Sequence, residues 1–329
     1  MSETRTGALT AAGAAILFGS SYMATAFALR AFGPLALGAL RGVAAGAIVG
    51  GLMLGGRLEG RAALAALGRG GWARLAVLGA LGGPLFLVTM NLAVGGSGAT
   101  IASFVVGLYA VLAALLGPPL LGERLGLGPI VAFVVALVGT ALLAGLDPAS
   151  SPPFGLGSGI GAGLIAATSF ALYLVLTRRW ARTFRLPGAT VAMANFAVSA
   201  VVLVPATLLV PGQSLVPPAA DPDTGVALVA LAWLVIGSGV AAQLLLVAGV
   251  RRLPARISSA FLLLNPLSAS ALAALLLGER LSAIQLVGAA LVLAGIALAT
   301  GVPELVWSAR RLRDRSPAGP PRGSRPGPR

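Results

Sequence analysis

The sequence contains no cysteine, no histidine and no lysine. Without cysteine there is no disulfide and no thiol nucleophile, and without either metal-binding residue the usual zinc sites are excluded. Charge is scarce as well: 10% of residues are charged, against about 25% in soluble domains. What is plentiful is apolar sequence, 57% of the chain, with uncharged runs from Gly7 to Leu29 and from Leu125 to Leu146. These exceed the roughly 18 residues that mark a membrane span. The chain therefore reads as an all-α polytopic membrane protein. All 23 basic residues are arginine, which with the abundance of Ala, Gly and Pro points to a GC-rich bacterial genome. A net charge of +14 suggests nucleic acid at first sight. Yet the arginines sit in short connectors and at the C-terminus, where they read as topological charge beside anionic lipid. The expected partners are membrane lipids and a small-molecule substrate, not nucleic acid. Ala24-Thr25-Ala26 mimics a signal-peptide cleavage site, but the apolar run is longer than the roughly 15 residues of a signal core.

Breaking the apolar runs at charges, prolines and glycine clusters gives ten expected helices: Gly7–Leu29, Pro34–Leu54, Leu75–Val94, Ala99–Leu121, Leu127–Gly145, Gly157–Thr177, Pro187–Val210, Gly225–Ala248, Ile257–Leu277 and Ala283–Thr300. Each is near the ~20 residues that cross a ~30 Å hydrocarbon core. With the N-terminus in the cytoplasm, every arginine except Arg30, Arg41 and Arg280 falls in an inner connector or terminus, while Asp147, Asp221 and Asp223 fall outside. This obeys the positive-inside rule, gives an even number of spans and puts both termini in the cytoplasm of a bacterial cell. The tail, residues 308–329, mixes arginine with Pro and Gly and is expected to be disordered along anionic lipid.

The hexapeptide LLGERL occurs at Leu120–Leu125 and again, 156 residues later, at Leu276–Leu281. Ile101 and Ile257, Ser103 and Ser259, Leu116 and Leu272, and Gly139 and Gly295 keep that offset. Five expected spans separate the copies, and an odd number puts them on opposite faces of the membrane. The chain reads as two inverted five-helix repeats, residues 1–148 and 149–307, a plan that binds substrate near the midplane where the halves meet. In each copy a glycine, Gly122 or Gly278, suits the left-handed turn that ends a helix. Glu123 and Glu279 are expected to begin the next helix, where a carboxylate complements the dipole. Ser282 and Gln285 have capping-box spacing. Glu123, Arg124, Glu279 and Arg280 are thus structural candidates at the repeat edges, with gating as the alternative.

These features resemble the EamA-like family of the drug/metabolite transporter superfamily. The resemblance rests on the two repeats, each with LGERL before a Gly-containing apolar helix, on FGSSYMATAFALR and GPLALGALRGV in the first two spans, and on LLLNPLSASALAALLLGERL in the ninth. It covers about residues 7–300. Phe18-Gly19 stands where the family often has Trp-Gly, and Tyr109-Ala110 stands where the second half has Asn265-Pro266. The resemblance implies a cytoplasmic-membrane permease, often an exporter of metabolites such as amino acids or of toxic compounds.

Arg41 lies inside the second span, where a charge costs about 2.5–3.5 kcal/mol on insertion scales. It either lines a cavity or snorkels to the headgroups. In a cavity its guanidinium favours a carboxylate or phosphate. No Asp or Glu falls within any expected span, so neither an intramembrane carboxylate relay nor an organic-cation pocket is indicated. The remaining candidate lining is Ser21, Tyr22, Thr25, Asn91, Tyr109, Ser169, Tyr173, Asn195, Gln243 and Asn265, residue types that also serve as interhelical hydrogen-bond partners. Pro266 removes a backbone donor and is a hinge candidate, either for alternating access or as passive geometry. Glycines read as close-packing positions by default, with hinge freedom as the alternative. No nucleophile–base pair, metal set or cofactor loop is apparent; GGSGAT at Gly95–Thr100 lacks the lysine of a phosphate loop. The expectation is a permease of a small anionic or zwitterionic metabolite. A lipid scramblase, an assembly scaffold or drug efflux stand as alternatives.

Overall fold

The structure, a computed structural model, describes residues 3–122, 126–143, 159–184, 187–217, 222–245 and 264–299. The described residues are helical, with no strand among them. α1 (Glu3–Ala28) and α2 (Pro34–Leu54) are joined by a short turn, and Pro34 opens α2 where a missing N–H is harmless. A short helix not expected from the sequence, α3 (Arg61–Ala65), precedes α4 (Arg69–Ala80). The chain then stays helical to Leu121, a run of 53 residues from Arg69, through α5 (Phe86–Gly107) and α6 (Tyr109–Leu121).

That run is not one rod. A π-helical turn occupies Leu81–Leu85, contains Pro84, and leaves helical geometry at Gly83 (φ −104°, ψ −109°). At Gly98 (φ 80°, ψ 166°) the backbone breaks completely, in a conformation that glycine alone adopts readily. The break separates the helices expected at Leu75–Val94 and Ala99–Leu121, although the first of them starts earlier, at Arg69. The chain continues with α7 (Leu127–Leu143), α8 (Gly159–Phe184), α9 (Gly188–Leu209) and α10 (Thr224–Val235). A second π turn follows at Ile236–Ala241, and then α11 (Leu264–Leu277) and α12 (Ala283–Ala299). Among the described residues, six helical stretches are long and apolar enough to cross a membrane, and α7, α11 and α12 are shorter apolar helices. Glu123, Arg124, the start of the expected ninth span and the basic tail lie outside the described residues.

The packing joins first-half to second-half helices throughout: α1 with α11, α5 and α6 with α8, α2 with α9, and α7 with α12. Small residues allow these approaches. A Cβ at Gly139 would stand 2.6 Å from the Gly288 carbonyl oxygen, and one at Gly42 would stand 2.9 Å from the Ala200 nitrogen. Lipid is as apolar as leucine, so helices associate through such close van der Waals contact rather than through water exclusion. The outward faces carry Val201, Leu208, Leu209, Val229 and Leu275, exposed apolar surface suited to hydrocarbon.

The two ends of the bundle are tied differently. At one, Arg30 pairs with Asp223 at 3.4 Å, Gln213 Oε1 accepts the Leu35 N–H at 3.3 Å, and Gly98 lies against Glu279. At the other, Gly60 lies against Met53 and Thr190, and Arg179 Nη1 donates to the Leu120 carbonyl at 2.7 Å. A cation at that helix C-terminus opposes the dipole favourably. The first is the Gly98 end, and the second, where Arg57 follows α2, is the Arg57 end.

Candidate functional site

Between the halves lies a cavity of about 290 Å³. Its wall takes Ser21 and Tyr22 from α1, Arg41 from α2, Phe86 and Met90 from α5, and Tyr109 from α6. Phe170 and Tyr173 come from α8, Asn195 from α9, Gln243 from the helix after the second π turn, and Asn265 from α11. Eight candidates from the sequence therefore meet at one place. Thr25, Asn91 and Ser169 are not among the lining residues. Asn91 Nδ2 donates to the Pro34 carbonyl at 2.9 Å, Ser169 donates to the Leu81 carbonyl at 2.8 Å, and Thr25 is buried within the bundle. Their polarity marked them as intramembrane, but polarity does not say which way a helix face turns. Pro266 is the third residue of α11, and the backbone before Leu264 lies outside the described residues.

Arg41 is 8% exposed, and its Nη1 has no hydrogen-bond partner. No Asp or Glu is among the described lining residues. Burying a donor of a charged group without a partner is costly, so the cavity wall holds an unsatisfied cationic donor just beneath its surface. Asn265 brings a second unsatisfied atom, its buried Oδ1, which is an acceptor. The Tyr109 hydroxyl lies against the Asn265 amide, and the two residues are 156 positions apart, the offset of the repeat.

Other polar groups are already engaged. Ser21 donates to the Phe18 carbonyl at 2.6 Å. With its amide nitrogen facing the Leu78 and Val191 carbonyls, Asn195 accepts from the Tyr173 hydroxyl at 3.3 Å. Beside them is an aromatic wall: the Phe170 ring lies 4.7 Å from Phe86, 4.9 Å and edge-on from Tyr109, and 5.4 Å from Tyr173. Such offset and edge-on arrangements are the favourable ones for aromatic rings.

The π turns are the main feature that sequence reasoning missed. Gly82 and Gly83 in the first correspond, 156 residues on, to Ser238 and Gly239 in the second, and all four line the cavity. π turns are rare and concentrate at functional sites. The first is supported from outside the cavity by Ser169, whose hydroxyl satisfies the Leu81 carbonyl. A Cβ at Gly82 would stand 2.8 Å from Tyr173 Cδ2 and from the Asn195 side-chain amide, so the wall closes only around glycine. Gly-Gly-Pro in the middle of a span was the available signal. Phe86 and Phe170 gave none, because an aromatic residue reads alike toward lipid and toward a cavity.

The cavity is asymmetric between the two ends. A neighbouring cavity of about 320 Å³ shares Ala192, Phe196, Gly239 and Gln243 with it and continues to Arg57, Glu59 and Pro187. Toward the Gly98 end the way is filled by a cluster including Met90, Ala93, Val94, Ala99, Ala102, Ala269 and Ala273. Leu29 and Leu277 pack against that cluster.

A family model described as the EamA-like transporter family matches residues 5–145 and again residues 157–301. No curated protein matches the chain. A solved structure described as "Crystal structure of protein" matches with a TM-score of 0.62 at 23% identity, covering 94% of this chain and 99% of the other. At that identity the likeness is one of fold.

Proposed function

The chain belongs to the EamA-like transporter family, and from that premise we propose that it is a permease of the bacterial cytoplasmic membrane that exports a small zwitterionic or anionic metabolite by alternating access. The observation that carries this reading is the unpaired Nη1 of Arg41 in the wall of a cavity with no carboxylate among its described lining residues. A substrate carboxylate satisfies that donor, and the unpaired Asn265 Oδ1 accepts from a substrate ammonium. The modest volume and the aromatic wall suit one amino-acid-sized molecule. An organic cation is disfavoured, having Arg41 to repel it and no anion to meet it. A scaffold would have no use for an unpaired buried charge.

The arginine bias supports ten spans with the Arg57 end in the cytoplasm. In that orientation the neighbouring cavity lies on the cytoplasmic side of the central one, the side from which an exporter loads. The test is a comparison of extracellular metabolites from cells overproducing the wild type, Arg41→Ala or an empty vector. One acidic or zwitterionic compound should accumulate with the wild type, and fall at least about tenfold with Arg41→Ala at equal membrane abundance, the loss expected for one hydrogen bond to a charged group. No compound distinguishing wild type from vector, followed by no uptake into proteoliposomes, would overturn the reading.

A further inference from the structure

We propose that Glu279 is the latch of the Gly98 end, a carboxylate from the second half that holds the broken helix of the first and must let go for that end to open; the proposal rests on the alternating-access reading. Glu279 Oε1 accepts the Ala99 N–H and Oε2 accepts the Thr100 N–H, each at 2.8 Å, across 180 and 179 residues of sequence. The break at Gly98 creates these donors. Helical hydrogen bonding starts afresh at Ala99, so its first N–H groups have no carbonyl behind them. In an apolar bundle such groups need a partner, and a carboxylate with one oxygen on each is a strong one. Glycine is required at 98 twice over: φ is +80°, and a Cβ there would stand 2.9 Å from Glu279 Oε1.

The sequence assigned Glu279 to the helix that follows it. That helix has its own cap: Ser282 N–H donates to Gln285 Oε1 at 3.0 Å, and Gln285 N–H donates to Ser282 Oγ at 3.3 Å. Glu279 is thereby released to serve the other half. Its own N–H donates to the Ala273 carbonyl at 3.3 Å, which fixes the stem of the carboxylate. Next to the latch, Ala99 and Ala102 share the apolar cluster with Ala269 and Ala273 of α11. Alanine contacts bury little area each, so the two charge-assisted bonds are the directional part of this closure.

The test uses the cysteine-free background. Met90→Cys places a lone thiol in the cavity wall, within the closing cluster. In membrane vesicles exposing the Gly98 end, it should react slowly with an impermeant maleimide. Adding Glu279→Ala removes both charge-assisted bonds and should speed that reaction by well over about tenfold, the effect of removing a single such bond from a closed–open equilibrium. Glu279→Gln, which faces one of the two donors with an N–H of its own, should fall between. Ala192→Cys, labelled from the Arg57 end, and the thermal unfolding temperature report that each variant remains folded. An unchanged rate in Glu279→Ala with Ala192→Cys still reactive would overturn the latch, as would a Met90→Cys background that already reacts fast. Neither result depends on transport, which the Arg41 comparison reads separately.

Discussion

Arg41 and Asn265 reach the cavity from opposite halves of the chain, one with a donor unpaired and the other with an acceptor unpaired. A zwitterion satisfies both at once. If the proposed substrate is an amino acid, that division predicts that Asn265→Leu raises its KM at least about tenfold while sparing the same acid without its amine, because only the ammonium loses a charge-assisted partner. Uptake into proteoliposomes with the two compounds checks it, and an equal loss for both would assign Asn265 to its contact with Tyr109 instead. Arg41→Lys should weaken both compounds, since an ammonium cannot hold a carboxylate through two parallel N–H bonds. The two residues were legible in the sequence because a charge or an amide within a span is expensive and therefore conspicuous. Glu279 was legible as a repeated motif with gating as one of its two readings, but the groups it holds were not. Its spacing names the helix it precedes, and nothing local announces a partner 180 residues away.

The helices were easier to read than the departures from helix. Runs of apolar residues bounded by glycine and arginine mark spans because the hydrocarbon thickness sets their length. The π turns at Leu81–Leu85 and Ile236–Ala241 shift the hydrogen-bonding register without interrupting the apolar run, so hydropathy does not register them. Glycine roles likewise depend on what stands opposite. Gly139 of α7 faces the Gly288 carbonyl oxygen at 2.6 Å and the Val292 nitrogen at 2.7 Å from where a Cβ would lie, whereas Gly51 of α2 has nothing within 4 Å. Alanine is the better helix former by about 1 kcal/mol, so Gly51→Ala should raise stability by up to that amount. Gly139→Ala should lower it by about 1–3 kcal/mol, the usual penalty of overpacking, because the atoms it meets belong to backbone and cannot turn aside. Thermal unfolding of the two variants in the same detergent decides between them, and stabilisation by both would mean that α7 and α12 have room to separate.

Exchanging the two halves of the molecule turns the α1–α11 contact into that of α8 with α5 and α6, and returns the α2–α9 and α7–α12 contacts to themselves. Tyr109 and Asn265, equivalent positions of the repeat, touch, as residues beside a twofold axis do. The paired π turns face one cavity. A twofold axis between the halves accounts for all three observations whether it lies in the membrane plane or along its normal, and it is the odd number of expected spans between the LLGERL copies that favours the in-plane axis. Inversion has a consequence that no internal contact can imitate: equivalent connectors must lie on opposite sides of the membrane. Gly126 and Ser282, the residues after α6 and α11 that share the 156-residue offset, are both exposed. Changed singly to cysteine in this thiol-free chain, they should react with an impermeant maleimide from opposite faces, Gly126→Cys with Arg57 and Ser282→Cys with Gly98. Labelling from one face would make the repeat a parallel one, and would remove the geometric reason for a cavity that opens to each side in turn.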